Sequence, residues 1–263
     1  SATVGLKQVY SPMVDLSHEP RWGRIVEGYG EDPYLGSEFA AAAVRGTQGD
    51  DYSAEDKAVA SPKHYVAYGQ PEGGRDYNTT DIPDRTLREV YLPPFQAAVN
   101  AGARSVMASF NEIDGVPMHA NRALIDGMLR DRWGWDGILV SDYTGVMELL
   151  NHGVGADTAT VGRLALDAGV DVDMVSNIYF KYLPAEVRGG RFPLAEVDSA
   201  VRRVLRVKYE MGLFADPFRH SSEARERALT LSPAYVAEAR DMARRSIVLL
   251  KNSGGALPLS KSL

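Results

Sequence analysis

The chain of 263 residues contains no cysteine. Disulfides, thiolate nucleophiles and cysteine-held metals are therefore excluded, and either redox compartment stays open. No apolar run approaches the ~20 residues needed to cross a bilayer, so no membrane span is expected. A basic stripe is also missing. The 29 Lys and Arg stand against 35 Asp and Glu, mixed along the chain, with a formal net charge of −6. That balance argues against nucleic acid as a partner. The five histidines (18, 64, 119, 152 and 220) are scattered, with no HExxH or other metal-ligand spacing. No GxSxG elbow supports a Ser-His-Asp triad. Neither GxGxxG nor GxxxxGK[ST] occurs, which removes the usual phosphate loop of a doubly wound sheet. No signal-peptide pattern opens the chain, and Ser1-Ala2-Thr3-Val4-Gly5 reads like the middle of something.

What is present is a repeated alternation. Short apolar runs end in polar residues: Val9–Val14 at Asp15, Ala58–Pro62 at Lys63-His64, Ser105–Phe110 at Asn111, Ile138–Val140 at Ser141-Asp142, and Val170–Val175 at Ser176-Asn177. Patterns of helical period lie between them, as over Leu87–Val99 and Leu124–Trp133. Strands alternating with helices imply a parallel sheet. Reactive residues at the C-terminal ends of such strands are the signature of a (β/α)8 barrel. Only about five units are visible where a barrel needs eight, and half a barrel would leave two open sheet edges, so either further strands are hidden in the sequence or this chain is a piece of a larger fold.

The far end differs. Glu196–Met211 reads as an amphipathic helix with Val197, Val201, Val204, Leu205 and Tyr209 close to one face. Residues 219–232 are charged and read as a loop. A second helix is expected from about Pro233 to Leu250, capped by Ser232 with Pro233 at its first position.

Three places carry candidate chemistry. The strand Gly137–Val140 runs into Ser141-Asp142-Tyr143, an acid where a buried strand rarely tolerates one. Asp142 or Thr144 could cap the following segment Gly145–Leu150, or Asp142 is a catalytic carboxylate at the mouth of a barrel. Lys63-His64 reads as one residue snorkelling and one satisfied in the core, or as paired donors for hydroxyls or carboxylates. The loop around Arg21-Trp22-Gly23-Arg24, shaped by Pro and Gly, suits a polar ligand with a flat apolar face, as a sugar has; the alternative is a surface loop knitted by weak Arg–Glu pairs. By the barrel logic, Glu72-Gly73-Gly74-Arg75-Asp76-Tyr77-Asn78 lies on the same face as Arg24 and Asp142.

Taken together, "SPMVDLSHEPRWGRIVEGYGEDPYL", "KHYVAYG", "EGGRDYN" and "GILVSDYTGV" closely resemble glycoside hydrolase family 3, above all its bacterial periplasmic β-glucosidases. The resemblance continues through "VKYEMGLFADPF" and "ARRSIVLLKNSGGALPL" and covers nearly the whole chain. It implies a retaining exo-β-glycosidase acting on terminal β-D-glucosyl residues of an oligosaccharide or aryl glucoside. Its nucleophile is Asp142, and Arg24, Lys63 and His64 grip the sugar. Tyr143 stands where the family often has Trp. Phe110 stands where it often has Tyr, so a hydroxyl contact is absent.

The resemblance further implies that residues 1–218 form the C-terminal part of the barrel domain. Residues 219–263 would be a linker helix and the start of an absent α/β sandwich domain. The acid/base, usually a Glu, would lie outside this chain, as would roughly three earlier strand units. No metal or organic cofactor is implied, and the compartment would be periplasmic or secreted. A complementary chain or a second copy is expected to complete the barrel. The alternatives are a β-xylosidase or other family exo-glycosidase, and a non-catalytic sugar-binding fragment. An N-acetylglucosaminidase is disfavoured, because KHYVAYG stands where that branch carries a His-containing loop.

Overall fold

The computed structural model describes residues 2–262. In its first unit, which ends at Ser221, short strands pair in parallel and in chain order. β1 (Gln8–Val9) pairs β2 (Val59–Ala60), and beyond them Met13 bridges Lys63. Tyr65 then bridges Ala108, just past β3 (Ser105–Met107). A small antiparallel hairpin of β4 (Glu112–Ile113) and β5 (Val116–Pro117) follows. β6 (Ile138–Val140) returns to pair β3 in parallel, with Val106 opposite Leu139, and Val140 bridges Val172. The five expected strand runs thus form one parallel arc. Among the described residues it does not close into a ring.

Helices cover the outer face. α1 (Pro33–Gln48) is capped by Asp32, whose side chain accepts the Leu35 N–H at 2.6 Å. A turn of α2 (Asp84–Thr86), a π-helical stretch (Leu87–Tyr91) and α3 (Leu92–Asn100) join β2 to β3. The helix read over Leu124–Trp133 is π-wound across Ala123–Arg132, ending with Trp133 N–H on the Met128 carbonyl at 3.1 Å. After β6 come α4 (Gly145–Glu148), α5 (Thr158–Ala168), α6 (Ile178–Arg188) and α7 (Leu194–Glu210). Alternation along the strands divides the apolar residues. Ala60, Val106 and Leu139 face outward into the main core, with Val44, Phe95, Ile125, Leu129 and Val161 from the helices. Val59 and Ile138 point the other way, onto Val207 and Met211.

That inner packing reveals the role of α7. The helix crosses beneath the arc, at the end where strands begin. Arg203 pairs with Asp171 at 2.7 Å, Arg206 with Asp136, and Glu210 with Arg104 at 2.8 Å and with the Tyr52 hydroxyl. Those partners precede successive strands of the arc, so α7 straps their starts together. A cavity of about 310 Å³ is left between the strap and the inner strand faces, lined by Gln8, Val59, Ile138, Val172 and Val207 among others. The face expected for this helix is corrected by the strap. Ala200 and Val207 are buried, and the expected Val197 and Val204 pack partly buried beside them, whereas Val201, Leu205 and Tyr209 are exposed. Turning Arg203, Arg206 and Glu210 toward the strand starts rotates that apolar row away from the arc.

The second unit begins at Ser222. The expected loop over residues 219–232 contains α8 (Glu223–Leu229), capped by Ser222. α9 (Pro233–Ser246) is capped by Ser232 as expected but stops at Ser246, because Ile247 is extended (φ −76°, ψ 123°) and opens a run rich in β-branched and aliphatic residues.

Asp171 joins the strap to the sheet. Its side chain is fully buried and accepts from Leu139 N–H at 2.8 Å, Arg130 at 2.8 Å and Arg203 at 2.7 Å. Asp171→Ala removes the carboxylate partner of two part-buried guanidinium groups and leaves the Leu139 N–H without its acceptor. Its unfolding free energy in urea is expected to fall by about 3–5 kcal/mol, with Asp171→Asn losing less; a change within 0.5 kcal/mol in both contradicts the strap.

Candidate active site

Because the strands are parallel, their C-terminal ends share one rim, and the expected site residues gather there. Asp142 leaves β6 almost buried, its side chain 12% exposed. Its main-chain N–H donates to His119 Nε2 at 3.0 Å, and its Oδ1 accepts the Tyr143 N–H at 2.6 Å. Among the described residues Oδ2 has no hydrogen-bond partner, and it lies 3.4 Å from His64 Nε2.

His64 is held from the neighbouring strand exit. Asp15 Oδ2 accepts both the His64 main-chain N–H at 3.0 Å and its Nδ1–H at 2.7 Å. That partner puts the ring proton on Nδ1 and leaves Nε2 facing Asp142 and, at 3.2 Å, Arg24 Nη2. Arg24 in turn grips Glu27 through Nε at 2.8 Å and Nη2 at 3.0 Å and lies over the Tyr68 ring. The Glu27 hydrogen bonds push the Arg24 pKa further up, so its charge is permanent. Reciprocally the Arg24 bonds, with added attraction from Lys63, hold the Glu27 carboxyl below its usual range. Of the three expected sugar-gripping residues, His64 thus stands beside Asp142 with Arg24 behind it, while Lys63 acts on Glu27. The peptide joining Lys63 and His64 is cis.

Aromatic side chains line the rim beside this constellation. Trp22 and Phe110 are buried with Met13 and Tyr68 in a small cluster of their own. Tyr68 meets His64 edge-on at 5.0 Å between ring centroids, and Tyr77 meets Phe110 at 4.6 Å. Trp22 Nε1–H donates to Asp76 Oδ1 at 2.9 Å, which ties the Arg21–Arg24 loop to the 72–78 loop. Tyr77 and Tyr143 present exposed rings at the mouth. Charged donors beside partly exposed aromatic faces form a surface that matches hydroxyls on one side and C–H faces on the other.

Other rim residues take different parts. Asn111 is fully buried and donates to the Val66 carbonyl and Thr80 Oγ1, and exposed Asn177 donates to the Val175 carbonyl. Capping at Asp142 and Thr144 is corrected. Thr144 occupies the N-cap position of α4 at φ 57° and makes no cap hydrogen bond; its hydroxyl bonds the Tyr143 carbonyl and Glu148 instead. Asp142 Oδ1 is committed to Tyr143 N–H. Glu112, a second carboxyl at the rim, takes Thr79 Oγ1–H at 2.8 Å and lies 3.3 Å from His152 Nδ1. Among the described residues no cluster of three or more His, Asp or Glu is placed to hold a metal ion. A cavity of about 440 Å³ between α6 and α7 is lined mainly by apolar side chains and includes none of the rim groups.

The sequence reading missed the parts played by Asp15, Glu27 and His119. Asp15 carried a signal, since it follows its strand as Asp142 does. Glu27 and His119 carried none beyond their residue type.

Comparison with known proteins gives the geometry a family. The sequence model described as Glycosyl hydrolase family 3 N terminal domain matches residues 1–207. A periplasmic beta-glucosidase of Salmonella typhimurium is 43% identical over 100% of this chain and 35% of its own length. A putative beta-xylosidase of Formosa agariphila is 36% identical over 98% of this chain and 34% of its own length. The crystal structure of a mutant beta-glucosidase from Listeria innocua in complex with laminaribiose superposes with a TM-score of 0.94 at 38% identity, over 99% of this chain and 36% of that one. The chain thus spans about a third of the length of the curated relatives it matches. It belongs to glycosyl hydrolase family 3, its arc of strands forming part of that family's N-terminal, barrel-like domain.

Proposed function

We propose that this chain supplies the nucleophile half of a retaining exo-β-glycosidase that removes terminal β-D-glucosyl residues. The observation that carries this reading is the state of Asp142 at the strand exit: one oxygen is tied to Tyr143 N–H, and the other, beside His64, has no hydrogen-bond partner among the described residues. In the proposed reaction the Asp142 carboxylate attacks the anomeric carbon, an ester bond to C1 forms, and the C1–O bond to the leaving group breaks. The leaving oxygen takes a proton from a general acid outside this chain. Water then cleaves the ester on the same face, with that acid acting as base, and configuration is retained.

Lys63, His64 and Arg24 are assigned to the sugar hydroxyls. Such bonds raise the rate only where they tighten as the oxocarbenium ion develops. For hydroxyls to reach Arg24, its fork must share with Glu27. Tyr143 and Tyr77 are assigned to the apolar sugar face, and buried Phe110 supports Tyr77 from below. β-Glucosidases among the relatives favour glucose at this site. The beta-xylosidase relatives support a second reading, a terminal xylosyl residue, which a panel of aryl glycosides separates.

In the same reading, residues 1–218 belong to the barrel domain, and 219–263 form a linker helix and the start of a second domain. A complementary polypeptide segment or a second copy closes the arc. The compartment is the periplasm, by likeness to the Salmonella typhimurium relative.

In the complete enzyme, Asp142→Asn is expected to reduce turnover of an aryl β-glucoside to background while the far-ultraviolet circular dichroism stays unchanged. A 2-deoxy-2-fluoroglucoside should label Asp142 in the parent protein; label on any other side chain overturns the assignment. The isolated 263-residue polypeptide is expected to show no turnover of the same substrate. Robust activity would place the proton donor within it, at Glu112 or Glu72.

A further inference from the structure

The strand that delivers Asp142 runs out of sheet partners at that residue. Ala108 N–H closes the rung between β3 and β6 on the Val140 carbonyl at 2.9 Å, and Ser141 N–H reaches the Val172 carbonyl at 2.9 Å. The next N–H, that of Asp142, is taken by a side chain, His119 Nε2, at 3.0 Å. His119 comes from the 3₁₀ turn Met118–Ala120 that follows β5 and is 2% exposed. Only an unprotonated ring nitrogen accepts from an N–H, so the imidazole is neutral with its proton on Nδ1. Burial, aided by the nearby His152, pushes the His119 pKa down to about 3, in keeping with that state.

Space for the ring is reserved by an absent side chain. A Cβ at Gly145 would stand 2.3 Å from both His119 Cε1 and Nε2, far inside any contact distance. Gly145 opens α4, three residues after the carboxylate, so imidazole and glycine fit together under the strand exit.

We propose that His119 is a positioning residue for Asp142, holding the main chain at the strand exit so that the carboxylate is aimed at the sugar. This rests on Asp142 being the nucleophile. The carboxylate then has two anchors, His119 on its own peptide and Tyr143 N–H on Oδ1. Removing the first leaves a buried N–H unpaired, and the peptide that sets the Asp142 direction turns. A carboxylate in place of the imidazole would accept the same bond but set a second negative charge beside the nucleophile. The neutral ring gives the bond without the charge.

The test uses the complete enzyme, an aryl β-glucoside for steady-state rates, and a 2-deoxy-2-fluoroglucosyl reagent for the rate of covalent trapping. Two variants divide the ring's acceptor from its bulk: His119→Gln keeps an acceptor oxygen, and His119→Phe keeps an aromatic ring without one. The expected result is a His119→Phe whose kcat and trapping rate fall by about 10²-fold at little changed KM, with His119→Gln within a few-fold of the parent. Gly145→Ala, which displaces the ring, should resemble His119→Phe. The double variant His119→Ala/Gly145→Ala should be no slower than His119→Ala alone. If His119→Phe traps as fast as the parent per folded molecule, or faster than His119→Gln, the ring merely fills space and the proposal is overturned. Label on a residue other than Asp142 in the parent sinks the catalytic reading itself, a result that the two variants cannot produce.

Discussion

Parallel pairing is the constraint from which the rest follows. When five strands run the same way, their starts share one rim and their exits another. Each rim is crowded with the polar residues that end apolar runs, and the two are used in opposite ways. At the starting rim, charges are neutralised in shared ion pairs that run through α7. At the exit rim, a neutral imidazole, a carboxylate oxygen with no hydrogen-bond partner and a guanidinium shared with Glu27 are kept close together.

The exit rim is itself a chain of side-chain contacts across the arc. Asp15 fixes His64, His64 faces Asp142, and His119 holds the Asp142 peptide from the hairpin side. No member is adjacent in sequence to its partner; Asp15 and His64 are 49 positions apart. The support for such a site comes from the sheet beneath it, which leaves the loop carrying Tyr77 free to differ in shape without disturbing the carboxylate.

Legibility in the sequence followed the range of the interactions. The five strands and their polar exits were visible, because apolar runs and their stops are local. Asp142, His64 and Arg24 were legible through motifs, and the structure brings them to one rim. The buried face of α7 was not legible. Its rotation is decided by Asp171, Asp136 and Arg104, each distant in the chain. The π-winding of Ala123–Arg132 escaped for a related reason, since apolar spacing alone does not separate i+4 from i+5 bonding. Thr144 looked like a cap by residue type, yet its left-handed backbone sends the hydroxyl elsewhere. His119 was one scattered histidine among five until Gly145 and Asp142 were placed around it.

The strap has a metric consequence. Arg203, Arg206 and Glu210 meet the starts of successive strands. Steps of three and four residues along a helix advance roughly 4.5 and 6 Å, and neighbouring strands lie about 4.8 Å apart. Helix pitch and sheet spacing agree closely enough for α7 to serve as a ruler laid under the arc, one graduation per strand. Losing or gaining a single residue inside it would swing every later graduation by about 100°, so the length of this segment matters more than its surface composition.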